Sequence, residues 1–243
     1  MTTPALPLTD RTLGEIVGED SRAAVVLERF GLDYCCGGHR TLEEAAIESH
    51  LPLAPVVDAL AALGAPDPDD RDGQWGDLDT LTRHIVERHH KYVREMIPAI
   101  DGWLAKLVAR HGTRHPELAE IWERFGDLAR ELTSHMTKEE TLLFPAIDDL
   151  AAAQRAGTRA PSSPFGTVLH PVRVMEDEHR AAGEWLGQLR TLTANYTPPP
   201  DACTTYRLCY GELQRFQADL VQHVHLENNV LFPRAIELER QLA

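Results

Sequence analysis

Two short stretches of this chain carry the same chemistry. Ser134-His-Met-Thr-Lys-Glu-Glu-Thr-Leu-Leu-Phe-Pro145 and Gln222-His-Val-His-Leu-Glu-Asn-Asn-Val-Leu-Phe-Pro233 each hold His-x-x-x-Glu followed by Leu-Phe-Pro. On a helix, residues four apart share one face and stand about 6 Å apart along the axis. His135 with Glu139, and His223 with Glu227, therefore each direct an imidazole and a carboxylate the same way. Such donors suit iron, manganese or zinc, and no thiolate stands among them to make a soft site. His90 and His179 extend the pattern, because the steps from His90 to His135 to His179 to His223 are 45, 44 and 44 residues. In hairpins of near-equal length these steps bring one His from each of four helices to one level, and two helices add a Glu. Four His and two Glu exceed the needs of one ion and fit two, with each Glu placed to bridge. A carboxylate-bridged pair inside a helical bundle is a di-iron or di-manganese arrangement, and iron is favoured over zinc. A single His-x-x-x-Glu is ordinarily a surface helix pair; two copies joined by two spaced His are not. His89 and His90 lie about 100° apart on a helix, with Val86, Val93, Ile97 and Ile100 between the two directions, so periodicity does not choose between them.

The elements that must position these groups are helices. Ala, Leu, Glu and Arg dominate, aromatics are sparse, and apolar residues recur at three and four spacing with no convincing alternation. The fold class is all-α. Four stretches, 77–111, 115–154, 167–195 and 202–240, with Gly- and Pro-containing separators, predict an up-down four-helix bundle over 77–243. The repeated motif recurs after 88 residues, two helices on, so the second and fourth helices present the same groups to a common axis.

Pro, Gly and Asp are dense in Gly64-Ala-Pro-Asp-Pro-Asp-Asp-Arg-Asp-Gly73, which marks 64–76 as a linker. Residues 1–63 read as a small helical N-terminal domain. Thr9-Asp10 and Asp20-Ser21 are the expected caps of its first two helices, Thr41 starts a third, and Leu53 to Leu63 forms a fourth. A unit this small is marginal alone and is expected to dock on the rest or on a partner. Its Cys35-Cys36 pair, between Tyr34 and Gly37-Gly38, reads as a turn at an exposed tip. Adjacent thiols close poorly into a disulfide, so the expected roles are nucleophile, transient metal ligand or thiol exchange. His39 beside the pair is worth testing. Cys203 and Cys209 read as apolar packing, the tryptophans as core or interface anchors, and His225, on the face opposite His223, as an outer partner or solvent-facing.

The formal net charge of −14 excludes a basic nucleic-acid footprint and a polybasic membrane patch. No apolar run reaches the roughly 20 residues of a membrane span. The start, MTTPALPLTD, shows no export signal, and four cysteines do not make a disulfide framework, so a reduced, cytoplasmic setting is expected.

Several of these motifs together resemble a known family, the RIC (repair of iron centres) di-iron proteins, which are hemerythrin-like. Asp33-Tyr-Cys-Cys-Gly-Gly38 resembles the signature of the family's small leading domain. His90, followed by Arg94 and Pro98, resembles its first ligand and favours His90 over His89. Ser134-His-Met-Thr-Lys-Glu-Glu140, Met175-Glu-Asp-Glu-His179, Pro198-Pro-Pro-Asp-Ala-Cys-Thr-Thr205 and Leu226-Glu-Asn-Asn-Val-Leu-Phe-Pro233 follow in order. The resemblance implies two non-haem irons, oxo- or hydroxo-bridged, with His90, His135, His179 and His223 as terminal ligands and Glu139 and Glu227 bridging. It implies repair of iron–sulfur clusters under nitric oxide or peroxide stress, with iron released to damaged Fe–S proteins or the assembly machinery. Glu131, one turn before His135, and Glu178, before His179, match acidic positions that the family associates with an access path; they would steer Fe²⁺ out or relay protons. Two rival classes stand beside repair. A nitric oxide reductase would turn over to N₂O with an electron donor. A sensor or carrier would bind nitric oxide or oxygen reversibly and leave damaged clusters unchanged. A zinc bundle would be colourless. A homodimer is left open.

Overall fold

The computed structural model describes residues 6–64 and 76–243. Most of the expected linker, 65–75, and Trp75 with it, lie outside the described residues.

The described residues are helical, with a single isolated bridge between Thr12 and Thr41. The N-terminal unit holds α1 (Leu13–Glu19), α2 (Arg22–Arg29), α3 (Leu42–Glu48) and α4 (Leu53–Ala61). Its starts are set by local chemistry. Thr12 and Glu15 form a reciprocal capping box, with Glu15 N–H donating to Thr12 Oγ1 at 3.2 Å and Thr12 N–H to Glu15 Oε2 at 2.9 Å. Thr41 and Glu44 repeat it at α3. The expected cap at Thr9-Asp10 is thus corrected: these residues sit in a 3-10 turn, Leu8–Asp10, and the side chain with a glutamate three residues on is Thr12. At α2 the Ser21 side chain makes no cap bond; Asp20 instead accepts from Arg22 N–H at 3.0 Å.

Four long helices follow among the described residues. The first runs through α5 (Leu78–His84), a wide π segment (Ile85–His90) and α6 (Lys91–His111). The second runs through α7 (Glu117–Lys138), a π segment (Glu139–Leu143) and α8 (Phe144–Ala156). The third, α9 (Leu169–Leu192), is α-helical throughout. The fourth runs through α10 (Thr204–His225), a π segment (Leu226–Leu231) and α11 (Phe232–Leu242).

The repeated Leu-Phe-Pro explains two of the wide turns. Pro145 and Pro233 have no N–H, so the ordinary bond four residues back cannot form there. The Phe before each Pro bonds five residues back instead, Phe144 N–H to Glu139 C=O and Phe232 N–H to Glu227 C=O. Such wide turns concentrate at functional sites.

Apolar side chains sort into three clusters. One gathers Val93, Leu104, Phe125, Leu132, Leu186 and Phe216 at one end of the bundle. A second gathers Ile85, Phe144, Ile147, Val172, Met175 and Phe232 at the other end. Successive helices contribute opposite halves to each cluster, which is the up-down-up-down order. The third cluster is the core of the N-terminal unit and reaches Val221 of α10.

The unit docks on the last π segment. Asn229 Nδ2 donates to the Tyr34 and Cys35 carbonyls at 3.1 and 3.2 Å, and Asn228 Nδ2 to the Cys35 carbonyl at 3.2 Å. Gly38 makes room for this: a Cβ there would stand 2.2 Å from Asn229 Oδ1 and 2.4 Å from the Tyr34 carbonyl oxygen. Gly38→Ala is expected to cost about 1–3 kcal/mol through this overpacking. Gly183→Ala, in an exposed helical turn with open space around it, should gain about 0.5–1 kcal/mol. Denaturant unfolding checks both; a wild-type midpoint for Gly38→Ala would overturn the docking contact.

Candidate metal centre

Between the two apolar ends of the bundle lies a polar layer. His90, His135, Glu139, His179, His223 and Glu227 all sit in it, each at most 4% exposed, and both glutamates are fully buried. Their donor atoms form two groups, His90–Glu139–His223–Glu227 and His135–Glu139–His179–Glu227, with the atoms of each group within 4.8 Å of one another. Both groups use both glutamates. All six residues expected from the sequence are brought together.

The rings are set so that Nε2 faces inward. His90 Nε2 lies 3.2 Å from His223 Nε2, and His179 Nε2 lies 3.0 Å from His135 Nε2. The outer nitrogens have their own partners. His90 Nδ1 meets Glu140 Oε1 at 2.6 Å, His135 Nδ1 meets Glu178 Oε2 at 2.9 Å, and His179 Nδ1 meets Asn228 Oδ1 at 2.9 Å. In the neutral rings these acceptors hold the proton on Nδ1 and leave the Nε2 lone pair to point into the layer. His223 Nδ1 has no hydrogen-bond partner among the described residues. Phe144 stacks on His90 at 5.7 Å and Phe232 on His179 at 6.1 Å, closing the layer on the side of the second apolar cluster.

The electrostatics are those of buried anions facing imidazoles. Burial pushes the His135 pKa down, but Glu139 and Glu178 more than reverse it, up to about 10. Burial likewise opposes His90, and Glu139, Glu227 and Glu140 raise it. His223, fully enclosed, is lowered by burial. The His135 hydrogen bond, seconded by Lys138, holds Glu178 down at about 2. Both oxygens of Glu139 and Oε2 of Glu227 have no hydrogen-bond donor among the described residues. A buried carboxylate without donors is costly unless a cation meets it, and the residues present fit that need. The spacing fits as well. Imidazole nitrogens about 2.1 Å from a shared ion stand about 3.0–3.4 Å apart, from right-angled to tetrahedral coordination, and the 3.0 and 3.2 Å separations fall in that range.

His89, left open beside His90 by periodicity, points elsewhere. Its Nδ1 meets Asp219 at 3.1 Å and its ring stacks on His223 at 5.5 Å. His225 is buried, bonded to Asn229 at 3.1 Å and edge-on to Tyr34. Glu131 is exposed and shares with Glu178 a cavity of about 270 Å³ that reaches His135, His179 and His223; its other walls are apolar, including Leu132, Ala182, Trp185, Leu220 and Val224. Cys35 and Cys36 are half-buried and packed against the first apolar cluster. The exposed tip expected there is corrected: Asn228 and Asn229 draw the turn onto the bundle. The neighbouring Cys36 thiol and burial hold Cys35 protonated well above the ordinary thiol range. His39 is exposed, and Cys209 is a buried thiol pushed up to about 12 by burial.

Sequence reasoning missed Glu140 and Asn228. The signal was present in the repeat, which aligns them as the residues after Glu139 and Glu227.

Residues 81–235 match the hemerythrin HHE cation-binding domain. The chain belongs to that family. Residues 9–64 match the ScdA_N domain, described as a domain of unknown function. Relatives align along nearly the whole of this chain. The iron–sulfur cluster repair protein YtfE of Cronobacter sakazakii is 38% identical over 231 residues, 95% of this chain and 98% of the relative. That of Edwardsiella ictaluri is 38% identical over 93% of this chain and 97% of the relative. That of Escherichia coli is 36% identical over the same shares.

Partners that orient metal-ligating imidazoles are worth about 10–100-fold in affinity. Asn228→Ala should lose that much for added divalent metal, with Asn228→Asp recovering part of it; titration of metal-free protein checks this. Metal at about 100 times its dissociation constant should add about 2.7 kcal/mol per ion, read as a higher unfolding temperature that is lost on chelation.

Proposed function

We propose that this protein restores iron–sulfur clusters damaged by nitric oxide or oxidative stress, supplying iron from a pair of non-haem irons, oxo- or hydroxo-bridged, held at the His/Glu layer. The observation that carries this reading is the two four-residue groups sharing Glu139 and Glu227, in a chain matched end to end by relatives named iron–sulfur cluster repair proteins. His90 and His223 would hold one ion and His135 and His179 the other, with Glu139 and Glu227 available to both. Bound iron supplies redox change and small-ligand exchange. Two groups that share a pair of carboxylates inside a helical bundle support iron over zinc.

The chain's own residues do the rest. Glu140, Glu178 and Asn228 fix the rings. Phe144 and Phe232 keep water from one side. Glu131 and Glu178 give the cavity an acidic rim over which a departing cation passes. The recipients are damaged Fe–S proteins or the machinery that assembles clusters. Among the described residues no helix is long and apolar enough to cross a membrane, which accords with work in the cytoplasm.

One observation favours a second reading, binding or reduction of nitric oxide at the same centre. The apolar walls of the cavity admit a small uncharged ligand more readily than a hydrated ion.

The test is metal content, absorption spectrum and repair in one series. About two irons per chain are expected, with near-ultraviolet bands, and both should be lost in His135→Leu and Glu227→Leu. Adding the iron-loaded protein to a nitric-oxide-inactivated [4Fe–4S] enzyme should restore its activity. Zinc in place of iron, or no restoration, overturns repair; N₂O production with an electron donor and no restoration selects the second reading.

A further inference from the structure

Outside the His/Glu layer, one other group of donor atoms stands together among the described residues. The Asp33 carboxylate and the Cys35 and Cys36 thiols come within 4.8 Å of one another. Cys35 Sγ lies 3.2 Å from Asp33 Oδ1 and 3.9 Å from Cys36 Sγ. We propose that this turn is a separate cation site, taking one thiophilic divalent ion such as Fe²⁺ or Zn²⁺ through two thiolates and one carboxylate.

The geometry is that of an open chelate. Two thiolates bound tetrahedrally at about 2.3 Å stand about 3.8 Å apart, close to the 3.9 Å seen here. A disulfide would need about 2.05 Å. Asp33 Oδ1 also accepts from the backbone N–H groups of Cys35 and Cys36, at 3.1 and 3.0 Å. These bonds hold the turn in the shape that presents both sulfurs to one side, before any ion arrives. Further rigidity comes from the bundle, because Asn228 and Asn229 grip the Tyr34 and Cys35 carbonyls. Asp33 is exposed while the sulfurs are half-buried, so an ion has an open approach and keeps a position for water. Sulfur-rich donors select iron(II), zinc(II) or cobalt(II) and reject magnesium and calcium. Binding exchanges protons for the ion: the two thiol protons leave to solvent, two metal–sulfur bonds form, and no electron is transferred. The site differs in kind from the His/Glu layer, which has no sulfur, and it stands or falls independently of the repair reading.

Cobalt(II) separates the two. Metal-free protein, kept reduced with a phosphine under nitrogen, is titrated with Co²⁺ and followed by absorption and by metal bound per chain. The expected result is a thiolate-to-cobalt charge-transfer band in the near ultraviolet, accompanying one ion beyond those at the His/Glu layer. Cys35→Ser with Cys36→Ser should abolish the band and that ion only. His135→Leu with Glu227→Leu should keep the band. Asp33→Asn retains Oδ1 as acceptor for the two backbone amides and removes the charge, so the fold of the turn is kept while affinity for the sulfur-bound ion falls about tenfold or more. No sulfur band in the wild-type protein, or a band that survives the double Cys substitution, would overturn the site. An unchanged affinity in Asp33→Asn would overturn the three-donor assignment. Uptake at the His/Glu layer without any sulfur band leaves the proposed function standing and removes this inference alone.

Discussion

Two carboxylates with no route to water set the terms for this molecule. Glu139 and Glu227 are fully buried between two apolar clusters, and both oxygens of Glu139 and Oε2 of Glu227 lack hydrogen-bond donors among the described residues. An arrangement of this kind is expensive without a cation to meet the charge. Much else in the bundle serves to hold it. Each wide turn includes His90, Glu139 or Glu227, and the imidazoles of His90, His135 and His179 face inward because their outer nitrogens are bonded to acceptors. The Phe rings seal one side.

The repeat gives the centre an approximate two-fold character, and its departures from symmetry are informative. Glu140 in the second helix and Asn228 in the fourth occupy the same place after a shared Glu, and each binds the Nδ1 of the His from the preceding helix. A carboxylate can only accept. An amide accepts with Oδ1 and donates with Nδ2, and Asn228 uses the second ability on the Cys35 carbonyl. The exchange of Glu for Asn falls where the N-terminal unit docks, so one side chain spans a His of the centre and the cysteine turn.

Much of this was legible beforehand. The His intervals and the doubled His-x-x-x-Glu named six residues that the fold brings into one layer, because helix periodicity and hairpin length are sequence properties. The choice between His89 and His90 was not legible from periodicity, since the wheel assumes 3.6 residues per turn and both residues lie in a π segment, where the angular step is smaller. The cysteine turn was misread as exposed because its cover comes from Asn228 and Asn229, nearly two hundred residues away in the chain. Thr12 displaced Thr9-Asp10 as the first cap because the glutamate that completes a capping box stands three residues after Thr12.

The ligand groups do not divide by hairpin. Each group of four draws one His and one Glu from the first two helices and one His and one Glu from the last two. A cation held there would therefore be a rivet between halves of the molecule that are otherwise joined by apolar packing, one connecting segment and polar contacts such as His89–Asp219 and His135–Glu178. Its loss would be felt by both hairpins, and so by the whole bundle rather than by any single helix.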